Sequence, residues 1–285
     1  MAVIVLTDST SYLSEKIRKE LNIKMVSLNL SYGNDSMREI DMDNDRFYKM
    51  MASNGIPTSS QPSVGDIYRE MLDVVEKGDS LCCIFLSSDM SGTFSTGQIV
   101  KKMVLEKHEN AMIEIVDSRS NCMQLGFAVV MAARAAQAGK SLEQVKEAAL
   151  DNIKRSRFLF IPENLDYLKK GGRIGGASAL LGNLFKIIPI LTVENGKTTV
   201  MMKVRTKKNA VLAMIDTMLQ DINSFDLGEV VVHHINCLDE AKELANVIKE
   251  HLKVVVDIMD IGPVIGLHVG PGAIGIAYYT LKAMR

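Results

Sequence analysis

Short β-branched and apolar runs alternate with segments of 3.6-residue periodicity through the first half of the chain, and that alternation is what βαβ units produce. Val3 to Leu6 reads as a first strand, followed by a helix with Leu13, Ile17 and Leu21 on one face. Lys24 to Leu30 reads as a second strand, and Phe47 to Met51 as helical before the turn-rich SNGIPTSSQPS. Ser63 and Asp66 have capping-box spacing and open a helix whose Ile67, Met71 and Val74 form an apolar stripe. Ser80 to Ser87 is predicted as a buried strand and Ile113 to Val116 as another. Two helices follow, Met123 to Ala138 and Leu142 to Arg155, the latter capped by Ser141 with Gln144. Strands joined in this way lie parallel with helices over both faces, so this half is predicted as a doubly wound parallel sheet.

The pattern changes near Ser156. Phe158 to Ile161 reads as a strand, Glu163 to Lys170 as a short helix closed by Gly171, and Ala177 to Phe185 as a further helix. Ile190 to Val193 and Thr198 to Val204 flank Asn195-Gly196, the strongest short-range signal for a tight antiparallel hairpin. A helix near Asn209 to Leu219, a strand at Val230 to Ile235, a helix at Leu238 to Leu252 and strands near Val254 to Met259 and Ile274 to Tyr279 complete the chain. The expected fold is therefore two α/β domains: an N-terminal parallel sheet over residues 1–156, and a mixed or antiparallel sheet with helices over residues 157–285.

Composition narrows the function. With 33 Lys plus Arg against 34 Asp plus Glu, the formal charge is −1, and 15 Phe plus Tyr with no Trp leave few stacking platforms, so nucleic acid is not expected as a partner. Cys82, Cys83, Cys122 and Cys237 form no CxxC pair and have no histidine at metal-ligand spacing; neither a disulfide framework nor a metal site is expected. The opening MAVIVLTDST has no basic region before its apolar run and reads as a buried strand and not a secretory signal, and with this cysteine usage reducing cytosol is the expected compartment. Ile261 to Leu281 is uncharged and long enough to span a bilayer, but Pro263, Pro271 and five glycines weigh against a helix there by roughly 10 kcal/mol. Loops plus a buried strand are the expectation for that stretch.

Two hydroxyl clusters carry the chemistry. Gly92 to Gly97 has GxxxxG spacing between a strand and a helix, the context of a phosphate loop, but Gln98 and Ile99 follow it where a triphosphate loop needs Lys and Ser/Thr. What remains suits a carboxylate or a single phosphate at a helix N-terminus, while Ser91 taken singly fits a helix cap equally well. Thr58, Ser59, Ser60, Gln61, Pro62 and Ser63 form the second cluster before another helix start, and taken singly it fits an N-cap inside an ordinary turn better than a binding loop. In an open parallel sheet, loops at the carboxyl ends of neighbouring strands converge, so both clusters can reach one anion. Asp8, Ser9 and Thr10 follow a strand end and suit a place in the same crevice, while Asp8 fits a helix cap equally well. Arg173 lies in a cationic helix end with Lys169 and Lys170 and precedes an uncharged run, a setting suited to a carboxylate that enters with an apolar tail. His268 sits in the glycine-rich C-terminal stretch, where it serves either the core or a ligand. Gly270, Gly272 and Gly275 match GxGxxG without room for a crossover helix or a following acid, so they indicate close backbone approach. No GxSxG elbow and no histidine triad or metal signature occurs. Arg205, Lys207 and Lys208 form a basic cluster that reads as a solvated face or as a docking surface.

VLTDSTSYLS, TSSQPSVGD, SSDMSGTFST, IVDSRS, YLKKGGRI, LLGNLFKIIPIL and HVGPGAIG, in this order almost end to end, resemble the DegV family, bacterial fatty-acid-binding proteins that serve as acyl-carrying (FakB) subunits of fatty acid kinase. The resemblance implies two α/β domains with a long-chain fatty acid such as palmitate, stearate or oleate between them, its acyl chain in an apolar tunnel. It assigns the carboxylate to Ser59, Ser91, Arg173 and His268, with Thr58, Ser60, Gly92 and Thr93 as additional candidates; this chain has Ser59 where the family usually has threonine before SQP. It further implies no catalytic residue, no metal and no cofactor here. A separate kinase subunit would phosphorylate the bound acid to an acyl phosphate for phospholipid synthesis, with transient membrane contact for lipid exchange. The competing reading is a hydrolase or acyltransferase that uses Ser91 as nucleophile. The 18 methionines suit either an adaptable tunnel or an ordinary core.

Overall fold

The structure is a computed structural model and describes residues 2–180 and 187–284. In chain order the elements begin β1 (Val3–Asp8), α1 (Glu15–Glu20), β2 (Ile23–Val26), β3 (Asn29–Tyr32), β4 (Asp35–Arg38), α2 (Asn44–Asn54) and β5 (Thr58–Ser60). They continue with α3 (Val64–Val75), β6 (Ser80–Phe85), α4 (Thr93–Leu105), β7 (Ile113–Asp117), α5 (Cys122–Gln137) and α6 (Leu142–Arg155). The remainder is β8 (Ser156–Ile161), α7 (Asp166–Lys170), β9 (Ile188–Glu194), β10 (Lys197–Val204), α8 (Lys207–Phe225), β11 (Leu227–His234), α9 (Leu238–Leu252), β12 (Asp257–Asp260), α10 (Pro263–Val269) and β13 (Ile274–Thr280). The chain forms two compact units: unit 1 comprises Met1–Asp41 and Ser59–Lys154, and unit 2 comprises Met42–Thr58 and Arg155–Arg285.

Unit 1 is built on a parallel sheet of order β2-β1-β6-β7. Strand alternation sends Leu6, Leu81, Cys83 and Phe85 to one face, where Ile67, Met71 and Val74 of α3 and Val100 and Val104 of α4 close the core. The α3 stripe is the one its spacing predicts, and Ser63 caps that helix by accepting from Asp66 N at 3.0 Å. α5 packs on β1 and β6. The strand order reverses between β1 and β6, so the carboxyl ends of these two strands mark the topological switch point where such sheets bind ligands.

Unit 2 is a mixed six-stranded sheet, β10-β9-β8-β13-β11-β12, antiparallel except between β11 and β12. Its core lies under α8 and α9, whose Met214, Met218, Leu244 and Ile248 pack on Leu159, Ile190, Val232 and Ile276. Asn195 and Gly196, both at positive φ (50° and 82°), turn β9 into β10 as the sequence requires. On the opposite face Phe158 and Phe160 stack at 5.1 Å.

Several elements depart from the sequence reading. Lys24 to Leu30 is two strands, because Ser27 Oγ donates to Leu28 O (2.7 Å) and Ser9 Oγ takes Leu28 N (3.0 Å), ending the pairing with β1 at Val26. The helix of Leu13, Ile17 and Leu21 shrinks to α1, capped by Ser14. The helix predicted from Glu163 starts only at Asp166; Gly171 closes it as expected, and the left-handed glycine is the next residue, Gly172 (φ 68°). Ala177 to Phe185 begins as a 3₁₀ turn, Gly175–Leu180; its continuation at 181–185 lies outside the described residues. Loops plus one strand at 261–281 become α10 and β13. α10 is buried nearly all round, which erases the amphipathic period that would have revealed it. No helix among the described residues is long and apolar enough to cross a membrane.

The two units part at Lys154/Arg155, near the expected boundary at 156, but Met42–Thr58 belongs to unit 2. Tyr48 of α2 donates to Ile261 O (3.3 Å) and Asn44 to Asp260 Oδ2 (2.6 Å), and Gly266 leaves room for the Tyr48 ring.

Gly275 sits in the middle of β13, where an added Cβ would lie 2.7 Å from Leu159 O and 2.9 Å from the Phe158 ring. Gly275→Ala is expected to destabilise the protein by about 1–3 kcal/mol through overpacking against backbone. Thermal or urea unfolding checks this, and an unchanged midpoint would contradict the packing described.

Candidate functional site

Unit 1 brings the two hydroxyl clusters together at the switch point. Asp8, at the end of β1, is fully buried and accepts from Leu86 N (2.7 Å), Thr10 N (3.0 Å) and Thr10 Oγ1 (2.6 Å). It therefore locks the end of β1 to the end of β6, and its N–H acceptance from Thr10 caps the 3₁₀ turn Ser9–Ser11. Of the two readings of Asp8, the cap is the one observed. Burial raises its pKa to about 6, opposed by those hydrogen bonds.

The chain leaving β6 doubles back, with Met90 N and Ser91 N both donating to Ser87 O (3.0 and 3.1 Å). Ser91 is half-buried at the entrance to α4; its Oγ accepts from Thr93 N (3.3 Å) and bonds Thr93 Oγ1 (2.9 Å). Gly92 is the N-cap of α4 and has no side chain to satisfy the first N–H groups. From the second cluster, Gln61 reaches α4 and donates through Nε2 to Thr96 Oγ1 (2.5 Å). β5 alternates, so half-buried Ser59 points to the face opposite exposed Thr58 and Ser60.

A brace that sequence reasoning missed supports the Ser91 loop. Asp117, at the end of β7, accepts from Ser88 N (3.2 Å), Ser88 Oγ (2.5 Å) and Arg119 N (2.9 Å), and Arg119 pairs with Asp89 at 2.6 Å. The signal in the sequence is an acid at a strand end two residues before an arginine.

In unit 2, α7 ends at Gly171, whose carbonyl accepts from Arg173 Nη1 (2.6 Å). Arg173 is exposed. A side chain at Gly171 would collide with the His268 ring, so this glycine is what lets α10 bring His268 against the end of α7. Burial, with the Arg173 charge adding to it, pushes the His268 pKa down to about 4. At neutral pH His268 is therefore an uncharged donor or acceptor, and Arg173 supplies the cation. Gly270 (φ 90°) ends α10 and gives way to the Tyr167 ring, the close approach expected of this motif. Lys207 is held by Glu163 (3.1 Å) and Glu240 (2.8 Å), which leaves only Arg205 and Lys208 of that basic cluster as exposed cations.

All four cysteines are unpaired, and three are buried with thiol pKa values raised by burial. Among the described residues no group of three or more His, Cys, Asp or Glu is placed to hold a metal.

The sequence model described as uncharacterised protein, DegV family, matches residues 2–281, and the chain belongs to that family. A DegV domain-containing protein of Clostridium acetobutylicum is 62% identical over 285 residues, 100% of either chain. DegV of Bacillus subtilis, described as a fatty acid binding protein, has a TM-score of 0.89 at 30% identity and covers 98% of this chain and 99% of its own. A Thermotoga maritima protein described as revealing a fatty acid binding function has a TM-score of 0.83 at 28% identity over 99% of this chain and 100% of its own.

His233, fully buried with its Nδ1 3.3 Å from Met259 O, is also depressed to about 4 by burial. Both imidazoles prefer to be neutral in the folded state, so their contribution is complete above pH 6.5 and is lost as pH falls toward 4. Histidine ring resonances are expected to titrate near 4 for these two residues, with the unfolding midpoint falling across the same window. Midpoints near 6.5 would refute the burial account.

Proposed function

We propose that the chain is a fatty-acid carrier. Its head-group ligands are Ser59, Ser91, Arg173 and His268, with Thr58, Ser60, Gly92 and Thr93 as further contributors. The acyl chain of a palmitate, stearate or oleate occupies an apolar tunnel. The observation that carries this reading is the meeting of two hydroxyl loops at the switch point of unit 1, in a chain whose relatives are described as fatty-acid-binding. Each methylene removed from water contributes about 0.8 kcal/mol, so a 16-carbon tail offers roughly 11 kcal/mol before ordering costs. The tail supplies affinity and the polar groups set orientation.

The loaded protein presents the acid to the catalytic subunit of fatty acid kinase, which makes the acyl phosphate used in phospholipid synthesis. It works in the cytoplasm and touches the membrane transiently to exchange lipid. The absence of a triphosphate loop at Gly92 to Gly97 supports this division of labour. Among the described residues the Ser91 hydroxyl is engaged by Thr93, which is no general base, and this favours a carrier over a hydrolase.

Organic extraction and mass spectrometry of the purified protein should release about one fatty acid per chain, as expected for one site. Ser91→Ala and Arg173→Ala should each weaken palmitate binding by roughly 10- to 100-fold, the worth of a charge-assisted hydrogen bond. The protein alone should turn over neither acyl ester nor acyl phosphate. Ester turnover abolished by Ser91→Ala would establish the hydrolase reading instead, and failure to take up palmitate or oleate would defeat the carrier.

A further inference from the structure

We infer that Gln61 is the positioning residue of the Ser59 and Ser91 loops, its amide fixing their hydroxyls in one geometry that discriminates an acid head group from a neutral one. The inference rests on the fatty-acid reading above and names what sets its head-group geometry.

Gln61 is anchored from both sides. Its carbonyl accepts from Asn29 Nδ2 of β3 at 3.3 Å, and buried Pro62 behind it keeps its backbone extended. The side chain leaves this anchor and crosses to the first turn of α4, where Nε2 donates to the buried Thr96 hydroxyl at 2.5 Å. Thr96 N in turn donates to Gly92 O at 2.9 Å, so the amide is coupled to the turn that follows Ser91. One side chain thus joins the strand that carries Ser59, two residues before it, to the loop that carries Ser91.

Gly92 is the independent mark of this role. Its backbone, φ −74° and ψ −2°, lies in the ordinary right-handed region open to any residue, so conformation does not call for glycine there. Glycine also forgoes the side-chain cap that Ser, Asp or Asn would give α4. What the position does require is space, because a Cβ on residue 92 would strike Gln61 Oε1 and come within 3.1 Å of its Cδ. Glycine at 92 is accounted for by the course of the Gln61 amide. Binding groups work when supporting side chains hold them within about half an ångström of the productive geometry, and this amide links the two hydroxyl loops directly.

The test uses the full chain with two probes of equal length, palmitate and 1-hexadecanol, titrated against wild type, Gln61→Ala, Gly92→Ala and the double variant. Gln61→Ala is expected to weaken palmitate about tenfold or more while changing hexadecanol less than about twofold, since the tail contacts are untouched. Gly92→Ala should weaken palmitate similarly by displacing the amide. The double variant should bind no worse than either single one, because removing the amide removes the clash. Gln61→Met, of similar length but without the amide, gives the same comparison where Gln61→Ala folds poorly. Unchanged palmitate binding in Gln61→Ala, an equal loss for both probes, or additive losses in the double variant would each overturn the inference. A wild type that binds palmitate while these variants behave so leaves the carrier reading standing; a wild type that binds neither probe ends both.

Discussion

A buried carboxylate satisfied by hydrogen bonds ties the strand ends of unit 1 together. Asp8 is buried at the end of β1, and three donors from two segments, one of them Leu86 N at the end of β6, satisfy it. Burial alone would force such a group to stay protonated, and hydrogen bonds to the ionised form work against that, so its pKa rises only to about 6. The consequence is mechanical: the two strands that flank the switch point end in register, and the loop leaving β6 starts from a fixed point. Asp117 repeats the device on β7, where it gathers Ser88 and Arg119 beneath the Ser91 loop. Two strand-end acids thus build a rigid floor under a turn whose own residues are small and hydroxylic.

Unit 2 reaches its geometry by omission of side chains. Gly171 admits His268, Gly266 admits Tyr48, Gly270 admits Tyr167 and Gly275 admits Phe158 and the Leu159 carbonyl. Each glycine forfeits conformational entropy on folding, and the compensation is a large side chain packed against backbone. The His268 ring is placed by this packing. Held against the end of α7 and near Arg173, it is kept neutral, so the head-group chemistry proposed for this unit divides between one cation and one uncharged imidazole.

The fold class was readable because it depends on short-range periodicity. The α3 stripe, the buried β6 run, the Asn195-Gly196 turn and the limits of α9 follow from patterns a few residues long. The departures share one cause, which is a long-range partner overriding a local preference. Ser9 breaks the strand predicted from Lys24, and Tyr48 draws Met42–Thr58 into unit 2 although nothing near it in sequence marks a boundary. α10 was hidden because complete burial removes amphipathicity.

At the site, hydroxyls before helix starts and a cationic helix end made Ser59, Ser91 and Arg173 compatible with an anion, while helix caps, a solvated helix end and, for His268, a core role stayed equally open. It was the motif resemblance that assigned the four to a carboxylate. Sequence alone determined the alternation of strands and helices, the parallel and mixed sheets, and the ordered motifs that mark the family. Tertiary structure alone decided that Gln61 bridges the two hydroxyl loops, that Gly92 and Gly171 are spaces for other side chains, and that His268 is neutral. The division is physical: periodicity and turn chemistry act over neighbouring residues, whereas desolvation and close packing depend on groups that only the folded chain brings together.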